Sequence, residues 1–382
     1  MTDDYGTITD RKVEKLRERI GEDHPEPQAF VEQATRDAIR HWANGIGTDN
    51  PLYTDREYAR EGPYGEVVAP PTFLFAANRY ASGYVRGLKG VHTLYGGTEW
   101  TWERPIRAGT DIETSTTLSD VIERDSAFSG TAVQQIYTTE FRTGEGKRLA
   151  TADSWTFRTD SEQATENRKY ESEGSRTADW DEDDLERFAE HYRAETPRGD
   201  DPRYFEDVSE GDDLDTLLKG PTSVTSGIAF LQGWGGAYIQ AHRQLFDLFD
   251  EHPSLRETNR YGAPESSVQV HWSEEAARRH GVPAPYDFGP GRVAWLGHVV
   301  HHWMSDYGFL KRLRVEVRKP NLMGDVQWCR GTVTGKRRED GESLVEVSLS
   351  AENQREETTA TGSATVALPS EDDGAVPAVD PE

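Results

Sequence analysis

Apolar and polar positions change period along the chain, and those changes mark its elements. Residues 11–20, with Lys12, Leu16 and Ile20, predict a short charged helix that ends in the stretch from Asp23 to Pro27. From Phe30 to Trp42 the residues Phe30, Ala34, Ala38 and Ile39 fall on one side of an amphipathic helix. An Asx-Pro turn at Asn50-Pro51 follows, and then residues 72–81 form an apolar run that predicts a buried helix. The period next drops to two. Residues 99–103, 111–121, 131–141 and 149–157 alternate and predict strands, with a turn over 104–109. Residues 159–201 are dense in Glu, Asp, Arg, Ser and Thr, so this stretch cannot bury much and predicts a linker with one charged helix around 184–193.

Past Tyr204 the pattern returns. Residues 270–278 take the place of 52–59, residues 286–290 that of 68–72, and residues 293–300 give a second buried helix. The turn Arg104-Pro105-Ile106-Arg107-Ala108-Gly109 is echoed by Lys319-Pro320-Asn321-Leu322-Met323-Gly324, with strands expected over 326–333, 344–349 and 360–368. The second copy carries an insertion, 227–250, ahead of His271, in which Gly233-Trp234-Gly235-Gly236 lacks the spacing of a dinucleotide fingerprint and suits close helix packing. The expected layout is a first domain over 1–160, an acidic linker over 161–203, a second domain over 204–370, and a disordered acidic tail over 371–382.

Composition narrows the partners. The chain has 382 residues, with 69 Asp plus Glu against 43 Lys plus Arg, a formal net charge of −26 and a pI near 4.8. Such a field repels nucleic acid and anionic membrane surfaces. Its scattered acids, and bases that are mostly Arg, suit a protein of a high-salt cytoplasm, where screening tolerates self-repulsion. One cysteine, Cys329, allows no intrachain disulfide. The N-terminus carries no apolar stretch and no run approaches a membrane span, so a cytoplasmic location is expected.

The stretch Asn50-Pro51-Leu52-Tyr53-Thr54-Asp55, with Ala69-Pro70-Pro71-Thr72-Phe73 downstream, resembles the hydratase motif of the MaoC-like acyl-CoA hydratases and dehydratases, in its FAS1-like dehydratase variant. The resemblance implies an α+β, tandem double hot-dog fold, in which an antiparallel sheet wraps a central helix twice. It implies a hydro-lyase of fatty acid metabolism that reversibly adds water to a 2-enoyl-CoA thioester. It also implies an acyl-CoA substrate, no cofactor, no metal, and a possible homodimer of the internal pseudo-dimer. Thioester hydrolysis and a non-catalytic acyl-CoA-binding subunit are the alternatives on the same fold.

Hydration needs a general base for water and donors for the enolate oxygen, such as an N–H at a helix N-terminus. In the first half the motif His is Tyr53 and the motif Asp is Thr48, with Asp49 next to it; Pro71 stands where the family has its oxyanion Gly. A phenol is a poor base at neutral pH, and proline has no N–H to give. Asp49 and Asn50 are candidate site residues that also read as a turn and cap. In the second half His271 falls at the motif His and Gly289 at the oxyanion Gly, while Asp287 or Glu265 would supply the acid. The candidate catalytic set is therefore His271, Asp287, Gly289, Asp49 and Tyr53, with Asn50, Trp272 and Tyr286 as substrate contacts. His298, His301 and His302 lie within one helical turn, but no His-Glu-x-x-His pattern accompanies them. Arg79, Arg86, Lys89, Arg312, Arg314 and Arg318 are local positive charge where CoA phosphates would be sought.

Overall fold

The computed structural model describes residues 6–26, 29–126, 130–159, 178–236 and 239–379. In the first half, β1 (His92–Trp102), β2 (Ile112–Ser126), β3 (Gly130–Thr143) and β4 (Arg148–Thr159) form the meander that the alternation predicts. The second half contributes β5 (Leu217–Lys219), a small hairpin of β6 (Arg256–Thr258) and β7 (Pro264–Ser266), then β8 (Phe309–Val317), β9 (Gln327–Glu339), β10 (Glu342–Asn353) and β11 (Thr358–Leu368).

All but the hairpin join one antiparallel sheet of order β2-β3-β4-β1-β8-β11-β10-β9-β5. Outward from its middle the sheet reads 1-4-3-2 on one side and 8-11-10-9 on the other, so the halves are related by a pseudo-twofold at the β1–β8 pairing. The repeated turn motif keeps that symmetry residue by residue. Val68 bridges Arg107 and Tyr286 bridges Leu322, the same step of each motif, and Gly109 and Gly324 close the turns at φ +89 and +92. This is the α+β double hot-dog arrangement.

β8 was not among the expected strands, because arginines interleave its apolar residues. Leu313 and Val315 are buried, whereas Arg312 and Arg314 face outward and grip Glu99 of β1, with Arg314 Nη1 2.8 Å from its carboxylate. Arg318 pairs with Glu316, and Arg79 bonds Glu26 at 2.7 Å. These cations, where CoA phosphates were sought, already neutralise carboxylates of the fold.

The two central helices differ. Gly289–Met304 is a 16-residue helix, almost wholly buried against both half-sheets. Its expected counterpart over 72–81 is absent: Pro71–Ala76 makes a 3-10 helix, and turns follow. Two successive prolines remove N–H donors, and the Asn78 side chain accepts from the Tyr80 and Ala81 amides, competing with helix hydrogen bonds. Phe73, Leu74 and Phe75 are nonetheless fully buried, so apolarity placed the segment correctly without fixing its conformation.

The amphipathic helix also starts later than expected. It spans Arg36–Ile46, with Thr35 accepting from the Ala38 amide, and Phe30 lies outside it, 58% exposed. The insertion forms the helices Val224–Trp234 and Arg243–Glu251. The first crosses Arg36–Ile46 closely: a Cβ on Gly233 would stand 2.7 Å from the Trp42 Cα, and one on Gly45 would stand 3.0 Å from the Phe230 Cα. The charged helix between the halves spans Glu182–Ala194; residues 161–177 of the expected linker lie outside the described residues. The expected disordered tail packs instead, as far as it is described. Val376 and Val379 are buried, and Arg338 bridges Asp372 at 3.0 Å and Asp373 at 2.9 Å. Among the described residues no helix is long and apolar enough to cross a membrane.

Candidate active site

His271 ends a 3-10 turn, Ser267–His271, whose N-cap is Ser266, and Ser273 caps the following helix Glu274–Arg279. Local capping thus fixes the imidazole between two short helices. Its Nδ1 lies 2.8 Å from the Tyr286 carbonyl oxygen. A carbonyl only accepts, so Nδ1 carries the proton and Nε2 keeps its lone pair. Burial pushes the imidazole pKa down to about 4, so the ring is neutral at pH 7, the state a base requires.

The central helix begins beside this ring. No side chain caps it, and its second residue, Pro290, offers no N–H, which leaves the Gly289 amide as the donor at its tip. Gly289 has a packing reason as well: a Cβ there would stand 2.3 Å from Tyr95 of β1, so the first half covers the helix start.

Asp287 is 7% exposed, and burial raises its carboxyl to about 6 against the pull of Arg292. Oδ2 pairs with Arg292 Nε at 3.0 Å and accepts from Asn321 at 3.4 Å, while Oδ1 has no partner. The carboxylate therefore answers Arg292 rather than forming a dyad with His271. Glu265, the other proposed acid, accepts from Asn259 at 3.2 Å in the hairpin.

Asp287 and Phe288 line a cavity of about 180 Å³ walled by Phe230, Trp295 and Met323. The Phe288 ring lies 4.0 Å from the His271 ring and stands between it and the cavity, whose lining includes neither His271 nor Gly289. Tyr286, expected at the substrate, supplies its carbonyl to His271 and an edge contact at 4.8 Å, and its phenol is pushed up by burial. Trp272 closes the turn through its amide to Gln269 at 3.0 Å and does not line the cavity. A larger depression of about 870 Å³, near Glu103 and Thr143, is open and polar and lies away from these groups.

The first-half motif forms a different centre. Asn50 Oδ1 caps the Leu52 amide at 2.8 Å, and its Nδ2 donates to Asp306 at 2.9 Å. Tyr58 donates to the same carboxylate at 2.6 Å. Tyr53 meets His301 Nδ1 at 3.2 Å, and burial raises the phenol well above its ordinary pKa, so it donates rather than acting as a base. The adjoining cavity is about 30 Å³, room for a water or two but not for an acyl chain. Asp49 is exposed. The pseudo-twofold thus yields two sites, of which the first-half one is filled by its own side chains.

The histidine cluster divides. His301 turns to Tyr53, whereas His298 and His302 come together with Glu195, their ligand atoms within 4.8 Å. Lys219 Nζ lies 2.8 Å from His298 Nδ1, so a cation already stands at this group. Sequence reasoning passed over Lys219, Arg292 and Asp306. The signal for the first was a lone lysine closing the short apolar strand before Gly220-Pro221.

Residues 19–152 match the FAS1-like, dehydratase domain region. A UPF0336 protein of Streptomyces avermitilis is 33% identical over 107 residues, 27% of this chain and 70% of the relative. A UPF0336 protein of Streptomyces coelicolor is 30% identical over 142 residues, 36% of this chain and 89% of its own length. Among solved structures, a MaoC-like dehydratase superposes with a TM-score of 0.63 at 19% identity, covering 93% of this chain and 100% of its own. A MaoC-like dehydratase from Phytophthora capsici gives 0.53 at 12% identity, with 96% and 99% covered. A Mycobacterium tuberculosis protein with a double hotdog fold gives 0.54 at 8% identity, with 95% and 98% covered.

Proposed function

We propose, for a chain that belongs to the MaoC-like, FAS1-like dehydratase family, that it catalyses reversible addition of water to a 2-enoyl-CoA thioester, with the chemistry in the second half. The observation that carries this reading is the tautomer of His271. The Tyr286 carbonyl holds the proton on Nδ1, and burial keeps the ring neutral, so Nε2 is a base beside the uncapped start of the central helix.

In the hydration direction Nε2 takes one proton from water while the water oxygen bonds to the β-carbon. Electron density moves onto the thioester oxygen, where the Gly289 N–H stabilises the developing charge. The proton held at Nε2 then passes to the α-carbon, completing addition of H and OH with no cofactor in the balance. Asp287 Oδ1, unpartnered in the cavity wall, accepts the remaining O–H of the water and aligns it. Tyr95 excludes solvent over Gly289 from the first half, so both halves are needed for one site. On this reading Tyr53, Asn50 and Asp306 are structural, and Asp49 has no catalytic role.

The test is hydration of crotonyl-CoA followed by loss of enoyl absorbance. His271→Ala should lose at least 100-fold in kcat, in line with the worth of a general base. Tyr53→Phe should stay within about threefold of wild type, because it removes a hydroxyl that donates to His301 rather than to substrate. Intact activity in His271→Ala, or loss in Tyr53→Phe alone, moves the site to the first half. Release of free CoA without hydration would favour thioester hydrolysis.

A further inference from the structure

The cavity beside Asp287 contains a buried cation that the proposed hydration does not use. Lys219 is 5% exposed at the end of β5. Its Nζ donates to the Gly47 carbonyl at 3.2 Å and to His298 Nδ1 at 2.8 Å, both neutral acceptors. An ammonium has three N–H groups, so one is left to spend. Glu195 and Asp49 act on it through space, yet among the described residues neither stands within ion-pair distance, and Asp49 is exposed. Burying a charge without a direct counter-ion is costly unless a partner arrives.

The position of Nζ says where that partner would come from. Gly47 lines the cavity, and a Cβ there would stand 3.7 Å from Nζ, which puts the ammonium at the wall. Across from it, Ser226 and Gly227 line the same cavity from the first turn of the 11-residue helix Val224–Trp234, whose N-terminal end adds positive potential. Phe230, Trp295 and Met323 make the apolar part of the wall, and Asn44, Tyr192 and Thr222 add neutral polar groups to it. Asp287, the acid in this wall, is held by Arg292.

Building on the hydratase reading, we propose that Lys219 receives a carboxylate at the far end of the acyl group. The substrate is then a short 2-enoyl thioester of a dicarboxylic acid rather than a long fatty acyl chain. A cavity of about 180 Å³ lies below the roughly 300–1,000 Å³ of drug-sized ligand sites, which favours a short acyl group over a long chain.

The test is binding of saturated thioesters, which needs no turnover. Calorimetry on the full chain compares succinyl-CoA with butyryl-CoA, two four-carbon acyl groups that differ by a carboxylate. Succinyl-CoA should bind at least tenfold tighter, Lys219→Met should erase that difference, and Lys219→Arg should keep part of it. Equal affinities for wild type overturn the inference, whether or not Lys219→Met folds. So does a Lys219→Met variant that weakens both CoA esters equally and spares butyryl-N-acetylcysteamine, since the cation would then be reading a CoA phosphate. Hydration of crotonyl-CoA and of mesaconyl-CoA, an enoyl thioester with a free carboxylate, judges the hydratase reading separately: turnover with equal affinities sinks only the carboxylate subsite, and selective binding with turnover of neither ester sinks the hydratase.

Discussion

At the residue scale, the site depends on which groups are left without partners. Asn50 satisfies Asp306 and Tyr53 meets His301, whereas Asp287 Oδ1 has no hydrogen-bond partner and the proton on His271 Nδ1 leaves Nε2 as the accepting nitrogen. Those two groups also predict the pH behaviour. Asp287, raised to about 6, should give an acid limb near pH 6 in kcat/KM, with His271 at about 4 adding a second fall below it. Asp287→Asn should remove the upper limb, and a profile unchanged by that substitution would rule the carboxylate out. Stability follows the same shifts. The folded His271 binds fewer protons than the unfolded one between about pH 4 and 6.5, so its contribution is full above 6.5 and lost as pH falls toward 4. Asp287 has the opposite sign, because its raised folded pKa makes its contribution decline as pH rises from 3.8 through about 6. Melting temperatures of wild type and His271→Gln at pH 5 and 7.5 should show the variant less sensitive to acid.

At the element scale, three contacts bring the two halves to one centre. β1 pairs with β8, Tyr95 covers the start of the central helix, and Arg36–Ile46 crosses Val224–Trp234. The helix crossing is close enough to reverse an ordinary preference. Glycine to alanine inside a helix usually stabilises by up to about 1 kcal/mol. At Gly233 the new methyl would meet the Trp42 and His41 backbones, at 2.7 and 2.8 Å, and overpacking of that kind costs about 1–3 kcal/mol. Gly233→Ala should therefore lower the melting temperature, and a raised one would show that the crossing relaxes freely. Gly45, which borders both the crossing and the cavity, ties this packing to the site.

At the scale of the whole molecule, charge dominates. A net −26 is offset locally by the arginine network on the outer face of the β1–β8 junction, where Arg312 and Arg314 share Glu99. Salt weakens both the long-range repulsion and these exposed pairs, and with so large an excess of acid the repulsion should matter more. The melting temperature should rise between 0.1 and 2 M KCl. A fall would mean that the surface pairs outweigh the net charge.

Local pattern alone determined the repeat, the strands of both meanders except β8, the polar stretch between the halves and the family. Period and turn chemistry are properties of neighbouring residues, and two copies of one motif announce themselves without a structure. Most of the second-half candidate set was legible in the same way, because His271, Tyr286, Asp287 and Gly289 lie in short motif segments. Tertiary structure decided what depends on residues far apart in sequence. Arg292 and Asn321 claim Asp287, Asp306 fills the first-half centre from the opposite half, Tyr95 accounts for Gly289, and Lys219 reaches the cavity wall. It also decided that residues 72–81 stay buried without forming a helix, since burial follows from apolarity while conformation follows from which backbone donors remain.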